Sequence, residues 1–154
     1  MRSIILFFSL LVLFFCFCGL DPEEEQLNEF IKSYTEQVKP LHKKANLAYW
    51  RAATTGNEKA FKESGKAELQ IRKIHSDSGK FTFFFFFIKS DKIKDPLLQR
   101  QLDVLYNKFL ENQISPDLLE QIISKQTDIE QAFSTFRPIV NGDTLTNNRI
   151  EQVL

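Results

Sequence analysis

Apolar residues recur along this chain at three- and four-residue intervals, the spacing of a helix face, and short polar clusters interrupt the pattern where one helix stops and the next begins. Leu27, Phe30, Ile31, Tyr34, Val38 and Leu41 open the first stripe, which continues through Ala45, Ala48 and Tyr49. Pro22 suits a first helical turn, and Glu23, Glu24 and Glu25 sit where carboxylates meet unpaired N–H groups. Pro40 should kink or interrupt this helix, because its ring removes a donor and crowds the preceding turn. Thr54-Thr55-Gly56-Asn57 stops it, and Asn57 can cap a second helix with the stripe Phe61, Ser64, Ala67, Ile71 and Ile74, weakened somewhat by Gly65.

After the turn Ser76-Asp77-Ser78-Gly79 comes Phe81 to Ile88, apolar at every position but Thr82 and without the polar face of a surface helix. Periodicity leaves it open between a buried crossing segment, a partner- or membrane-touching wedge, and the product of slippage in a homopolymeric codon run. Exposed, it would be an aggregation hazard. Asp95-Pro96 and Ser115-Pro116 are cap-and-proline starts for two further helices lying back to back. The first carries Leu98, Leu102, Leu105 and Phe109, the second Leu119, Ile122, Ile123, Ile129, Phe133 and Phe136. Asn141-Gly142 predicts a tight hairpin over 139–145. Thr146 caps a last short helix whose apolar stripe, Ile150, Val153 and Leu154, is still being laid down where the sequence stops, the pattern of a chain cut short. The predicted fold class is therefore all-α: antiparallel amphipathic helices with one short β-hairpin near 139–145, preceded by a signal or anchor helix.

That leading segment is the run Ile4–Phe17, apolar except for Ser9, with Arg2 before it and the acidic stretch Asp21–Glu25 after it. This is the layout of a secretory signal, and a retained membrane anchor is its rival. The expected organisation is residues 1–18 as signal peptide or lipoprotein signal, 19–25 as an acidic tether, and 26–154 as one helical region. The two cysteines, Cys16 and Cys18, close the apolar run, so the region after it holds no disulfide. Cys18-Gly19 resembles a lipoprotein signal, which makes Cys18 the candidate lipidation site, although such signals place a small residue where Phe17 stands. Export to the cell envelope follows, periplasmic or membrane-anchored through the Cys18 lipid or the 4–20 segment.

With 154 residues and 43% hydrophobic content, the chain can bury a core as one domain. Twenty basic and twenty acidic side chains balance; loss of Arg2 with the leader leaves 19 against 20, a net charge of −1. No nucleic-acid partner is recruited by such a balance. The two histidines, His42 and His75, lie at a helix surface or end and form no H-E-x-x-H zinc pair; no G-x-S-x-G turn and no glycine-rich phosphate loop is present. Lys39, Lys43, Lys44 and Arg51 read as a solvated face and Trp50 beside Tyr49 as core. No catalytic and no metal-ligating residue is assigned.

Several strings nevertheless resemble the N-terminal part of angiotensin-converting-enzyme-like peptidyl-dipeptidases, the bacterial members in particular. Pro40-Leu41 leading into Ala45-Asn46-Leu47-Ala48-Tyr49-Trp50 is similar to that family's first long helix, Asp95–Tyr106 to its third segment and Glu130–Arg137 to its fourth. The resemblance covers roughly residues 26–154 and departs from the family at 83–87, where the family has an ordinary mixed helical stretch. It implies a gluzincin metallopeptidase that releases dipeptides from peptide C-termini, its N-terminal helices forming a lid over a deep groove. The zinc cofactor, its H-E-x-x-H helix and the peptide substrates belong to the full-length family, with every such residue beyond Leu154. The expected function is a lid fragment of such a peptidase, inactive alone. The alternative is a free-standing helical envelope lipoprotein that binds a partner or peptide. Thimet-type oligopeptidases, also helical zinc enzymes with a lid, are resembled less.

Overall fold

The computed structural model describes residues 21–146 together with Arg149 and Gln152. The expected signal or anchor helix, Cys18 and the apolar residues of the last short helix lie outside the described residues. Among them, five α-helices, α1 (Pro22–Thr55), α2 (Glu58–His75), α3 (Ser78–Ser90), α4 (Pro96–Leu110) and α5 (Pro116–Thr135), precede a two-stranded hairpin, β1 (Ile139–Val140) and β2 (Asp143–Thr144). None of the described helices is long and apolar enough to cross a membrane.

The caps fall where the polar clusters predict them. The Asn57 side chain accepts from the Ala60 N–H, Asp77 from Lys80, Asp95 from Leu97 and Leu98, and Ser115 from Leu118, each satisfying a first-turn donor that has no partner inside its own helix. Gly56 ends α1 in the left-handed region, φ 68°, with its N–H on the Ala52 carbonyl. In the hairpin, Asn141 and Gly142 both have positive φ, and Ile139 pairs with Thr144 and Val140 with Asp143.

Pro40 does not interrupt α1, which runs 34 residues through it. Pro40 and Glu36 both lie on the exposed side, so the Glu36 carbonyl that proline deprives of a donor is left to water rather than buried unpaired. This unbroken helix organises the rest. Its N-terminal half packs against α3 and α4, where Leu27, Phe84, Phe87, Ile93, Leu98, Leu102, Leu105 and Phe109 form one buried cluster. Its middle and C-terminal half pack antiparallel to α2 through Val38, Ala45, Ala67 and Ile71, and then through Ala52, Ala60 and Phe61. The small residues Ala45, Ala48 and Ala52 keep the two helix axes close.

The phenylalanine run is helical. Asp77 starts α3, and at 100° per residue the run divides itself: Phe84 and Phe87 are fully buried, Phe81, Phe83 and Ile88 half-buried, and Phe85 and Phe86 exposed. Phe84 sits 4.9 Å from both the Phe30 and the Phe109 ring, and Phe83 lies 4.9 Å from Phe30. Ring burial therefore supplies the amphipathicity that the composition lacks.

Helix α5 packs antiparallel on α2 rather than on α4, the helix before it. The approach is close because position 65 is glycine: a Cβ there would meet Thr127 Oγ1 at 2.4 Å. Gly65→Ala, which in an open helix would gain about 1 kcal/mol from propensity, is expected instead to destabilise by about 1–2 kcal/mol through overpacking. Thr127→Ala should recover most of that loss in the double variant, as read from urea midpoints; a stabilised single variant would show that the helices part without cost.

The beginning of the chain is tied to the start of α4. Glu24 is 8% exposed, and its Oε1 accepts from the Lys94 and Asp95 N–H groups at 2.7 and 2.8 Å. Glu23 accepts from Ser90 Oγ and pairs with Lys92, whose ammonium is thereby held protonated above its usual range. Residues 22–25 of the segment read as an acidic tether thus form the first turn of α1, with Glu24 bound to the α3–α4 connection.

Candidate functional site

Two of the places where polar groups gather among packed helices bear most on function. The first joins the two halves of the molecule. Tyr34, on α1, packs against both the α3–α4 cluster and the α2 cluster. Its hydroxyl is 2.8 Å from His75 Nε2, and the His75 ring lies 5.2 Å from the Phe109 ring. Gln113 Nε2 then donates to the carbonyls of His75 and Phe109, at 3.1 and 3.0 Å. His75 is 2% exposed, so its expected place at a helix end holds but a helix surface does not. Burial, reinforced by the charges of Lys108, His42, Arg72 and Lys80, lowers its pKa to about 4, and burial raises that of Tyr34. At neutral pH the pair is an uncharged hydrogen-bonded rivet. It ties α1 to α2 and, through Phe109 and Gln113, to the end of α4.

The second place is a groove of about 230 Å³ where α1 and α5 diverge above α2. Asn46 and Tyr49 form one wall, Gln126 and Glu130 the other, and Ser64 and Glu68 the floor. Its two carboxylates are occupied: Glu68 pairs with Arg72 at 3.3 Å, and Glu130 accepts from Gln126 at 3.0 Å. The Ser64 hydroxyl donates to the Ala45 carbonyl, so it is a tie between α2 and α1 and carries no adjacent base. This arrangement can seat a side chain or a helix ridge.

Beside this groove lies the largest departure from the sequence reading. Of the six apolar residues assigned to one side of α5, only Leu119 and Ile123 are buried, while Ile129, Phe133 and Phe136 are 68%, 78% and 64% exposed. Ile122, Ile139 and Val140 are exposed as well, and on α1 so are Leu47, Tyr49 and Trp50, the last at 69% where a core position was expected. The physical reason is partnership: α2 covers the Leu119–Ile123 side, and no described element covers the rest. Lys39, Lys43, Lys44 and Arg51 are exposed, as a solvated face requires.

Among the described residues no group of three or more His, Cys, Asp or Glu side chains is placed to hold a metal ion. No family model, curated protein or solved structure matches this chain.

Proposed function

We propose that residues 26–154 are the N-terminal, lid-forming helical region of a zinc-dependent peptidyl-dipeptidase of the angiotensin-converting-enzyme-like type, non-catalytic as the isolated chain. Export, with attachment to the envelope membrane through lipid on Cys18 or through the 4–20 segment, belongs to the same reading. Zinc and the dipeptide-releasing chemistry are assigned to the rest of such a protein, and peptides are its substrates.

One observation carries the reading beyond the resemblant strings: the uncovered apolar face of α5 and the hairpin. Scattered exposed apolar residues are ordinary on any protein, but several large ones along one helix and the hairpin after it suit a surface that meets another body. A helical region that packs on a larger enzyme needs such a face, and a groove without a nucleophile or ligand set suits a lid, not a catalytic centre.

The test is to read the locus past codon 154 in all three frames. An encoded H-E-x-x-H helix supports the lid reading. Its absence overturns it and leaves the free-standing envelope lipoprotein, binding a partner or peptide through the same face. In parallel, the purified chain with added zinc is expected to release no dipeptide from the C-terminus of an unstructured peptide, as followed by mass spectrometry; zinc-dependent release would refute the non-catalytic assignment.

A further inference from the structure

From Gln37 to Asn57 the chain carries Lys39, Lys43, Lys44 and Arg51 and no acidic residue, in a sequence of zero net charge. At about 100° per residue, Lys39, Lys43, Leu47 and Trp50 fall within about 80° of one another, on the side of α1 opposite the buried Val38, Ala45, Ala48 and Ala52. Lys44 and Arg51 flank them. All six are exposed, Leu47 at 57% and Trp50 at 69%. We infer that this face of α1 docks on an anionic lipid surface, with the lysines among the headgroup phosphates and Leu47 and Trp50 at the boundary with the acyl chains.

Local charge is the first argument. Among the described residues Lys62, Arg72, Lys73, Lys92 and Lys94 each pair with a carboxylate, and Arg51 pairs with Glu63 at 3.7 Å, whereas Lys39, Lys43 and Lys44 pair with none. Earlier along α1 the same side alternates in sign through Glu29, Lys32 and Glu36, so the unbalanced positive field begins at Lys39. A rigid helix that holds three unpaired cations together attracts a surface of fixed negative charge. The interleaved side chains are the second argument. An indole prefers the headgroup level, and a lysine can lay its stem on apolar surface while its ammonium stays among phosphates and water. Shape is the third, because the outward side of a single helix is convex: it has no concavity to hold a peptide, but a fluid bilayer conforms to it. Position is the fourth. Only residues 18–21 separate the apolar run Ile4–Phe17 from Pro22, which keeps α1 beside any bilayer that the run enters. This last argument alone rests on the proposed envelope attachment, and none of the four uses the peptidase reading or the apolar face of α5.

Trp50 is the one tryptophan of the chain, so its fluorescence reports on this face directly. The full chain is reconstituted in vesicles of phosphatidylcholine alone, or of phosphatidylcholine mixed with phosphatidylglycerol. In the mixed vesicles Trp50 emission is expected to shift to the blue and to be quenched by brominated acyl chains; in the neutral ones it should keep the emission of a water-exposed indole. Salt at about 1 M, where screening shortens to about 3 Å, should reverse the shift. Lys39→Gln, Lys43→Gln and Lys44→Gln together should abolish it with helical circular dichroism unchanged, since each lysine near an anionic surface contributes on the order of fivefold in partitioning. The same three changes at Lys59, Lys62 and Lys66, exposed on α2, should leave the shift intact. Trp50 remaining in water on the mixed vesicles would overturn the inference and leave the face to solvent or to an acidic protein. Equal insertion into neutral vesicles, or equal loss in the α2 variant, would overturn it by showing that these lysines do not direct the contact. Flotation of the chain with the neutral vesicles reads the envelope attachment separately, so the two readings fail independently.

Discussion

Phe84→Ala is expected to destabilise the fold by about 3–5 kcal/mol, while Phe86→Ala, two residues along the same run, changes stability by no more than about 0.5 kcal/mol. Phe84 is 0% exposed and its ring touches three others, Phe30, Phe83 and Phe109, from three positions on two further elements and its own. Truncation removes the transfer energy of a buried aromatic and leaves a cavity between α1, α3 and α4 that rigid rings fill poorly. Phe86 is 60% exposed, and its principal aromatic neighbour is Phe87. The pair is therefore an internal control in which chemistry is constant and only the helical angle differs. Urea unfolding followed at 222 nm would read both, with a fall in melting temperature on the order of 10–20 °C for Phe84→Ala. Equal costs at the two positions would mean that α3 is not helical in this register and that the run is buried or exposed as a whole.

The same contrast explains what could be read from the residues and what could not. Caps were legible because each is a local device: Asn57, Asp95 and Ser115 need only reach their own first turn, so spacing to the next apolar residue is enough to place them. The hairpin was legible for the same reason, since Asn141-Gly142 carries its backbone angles with it. The phenylalanine run was not, because seven nearly identical apolar residues have no periodicity, and its helical register is set by Phe30 and Phe109, distant in sequence. Pro40 predicts a kink or an interruption because the local rule is about the lost donor; its exposed position, which lets the helix continue without interruption, is a property of the packed bundle.

Site residues divide in the same way. His75 had a usable signal, since it follows Ile71 by four and so shares the buried edge of α2, but its partners Tyr34 and Gln113 are 41 and 38 residues away. Glu24 had none: three consecutive glutamates at a helix start are equivalent in sequence, and only the arrival of the 94–95 backbone distinguishes the middle one. The α5 stripe is apolar on one side, as its spacing predicts, but only Leu119 and Ile123 of it are buried. Periodicity reports which face a helix would bury given a partner, and α2 reaches only one edge of a stripe wide enough for two.

The rivet between the halves of the molecule should make its stability fall on mild acidification. A folded-state pKa of about 4 for His75, against about 6.5 for an unfolded histidine, means that the unfolded chain binds the proton more tightly. The sign follows from linkage: the stability contributed by keeping His75 neutral is fully present above about pH 6.5, declines as the pH falls toward 4, and is gone below that. Over the window the loss is about 2–3 kcal/mol, of the order that 2.5 pKa units allow for a ring shut off from solvent. The groups that set the field around it, Lys108, His42, Arg72 and Lys80, are basic, so none of them offers the imidazolium compensation. Carboxylates titrate in the lower part of the same window, which makes the comparison with variants decisive. His75→Gln should be less stable than the parent at pH 7, having lost its packing on Phe109, and should lose about 2–3 kcal/mol less between pH 7 and pH 4. Parallel curves for the parent and His75→Gln would show that the ring is hydrated or paired in the folded state, and the junction of Tyr34, His75 and Phe109 would then be a wet contact instead of the dry one that holds α1, α2 and α4 together.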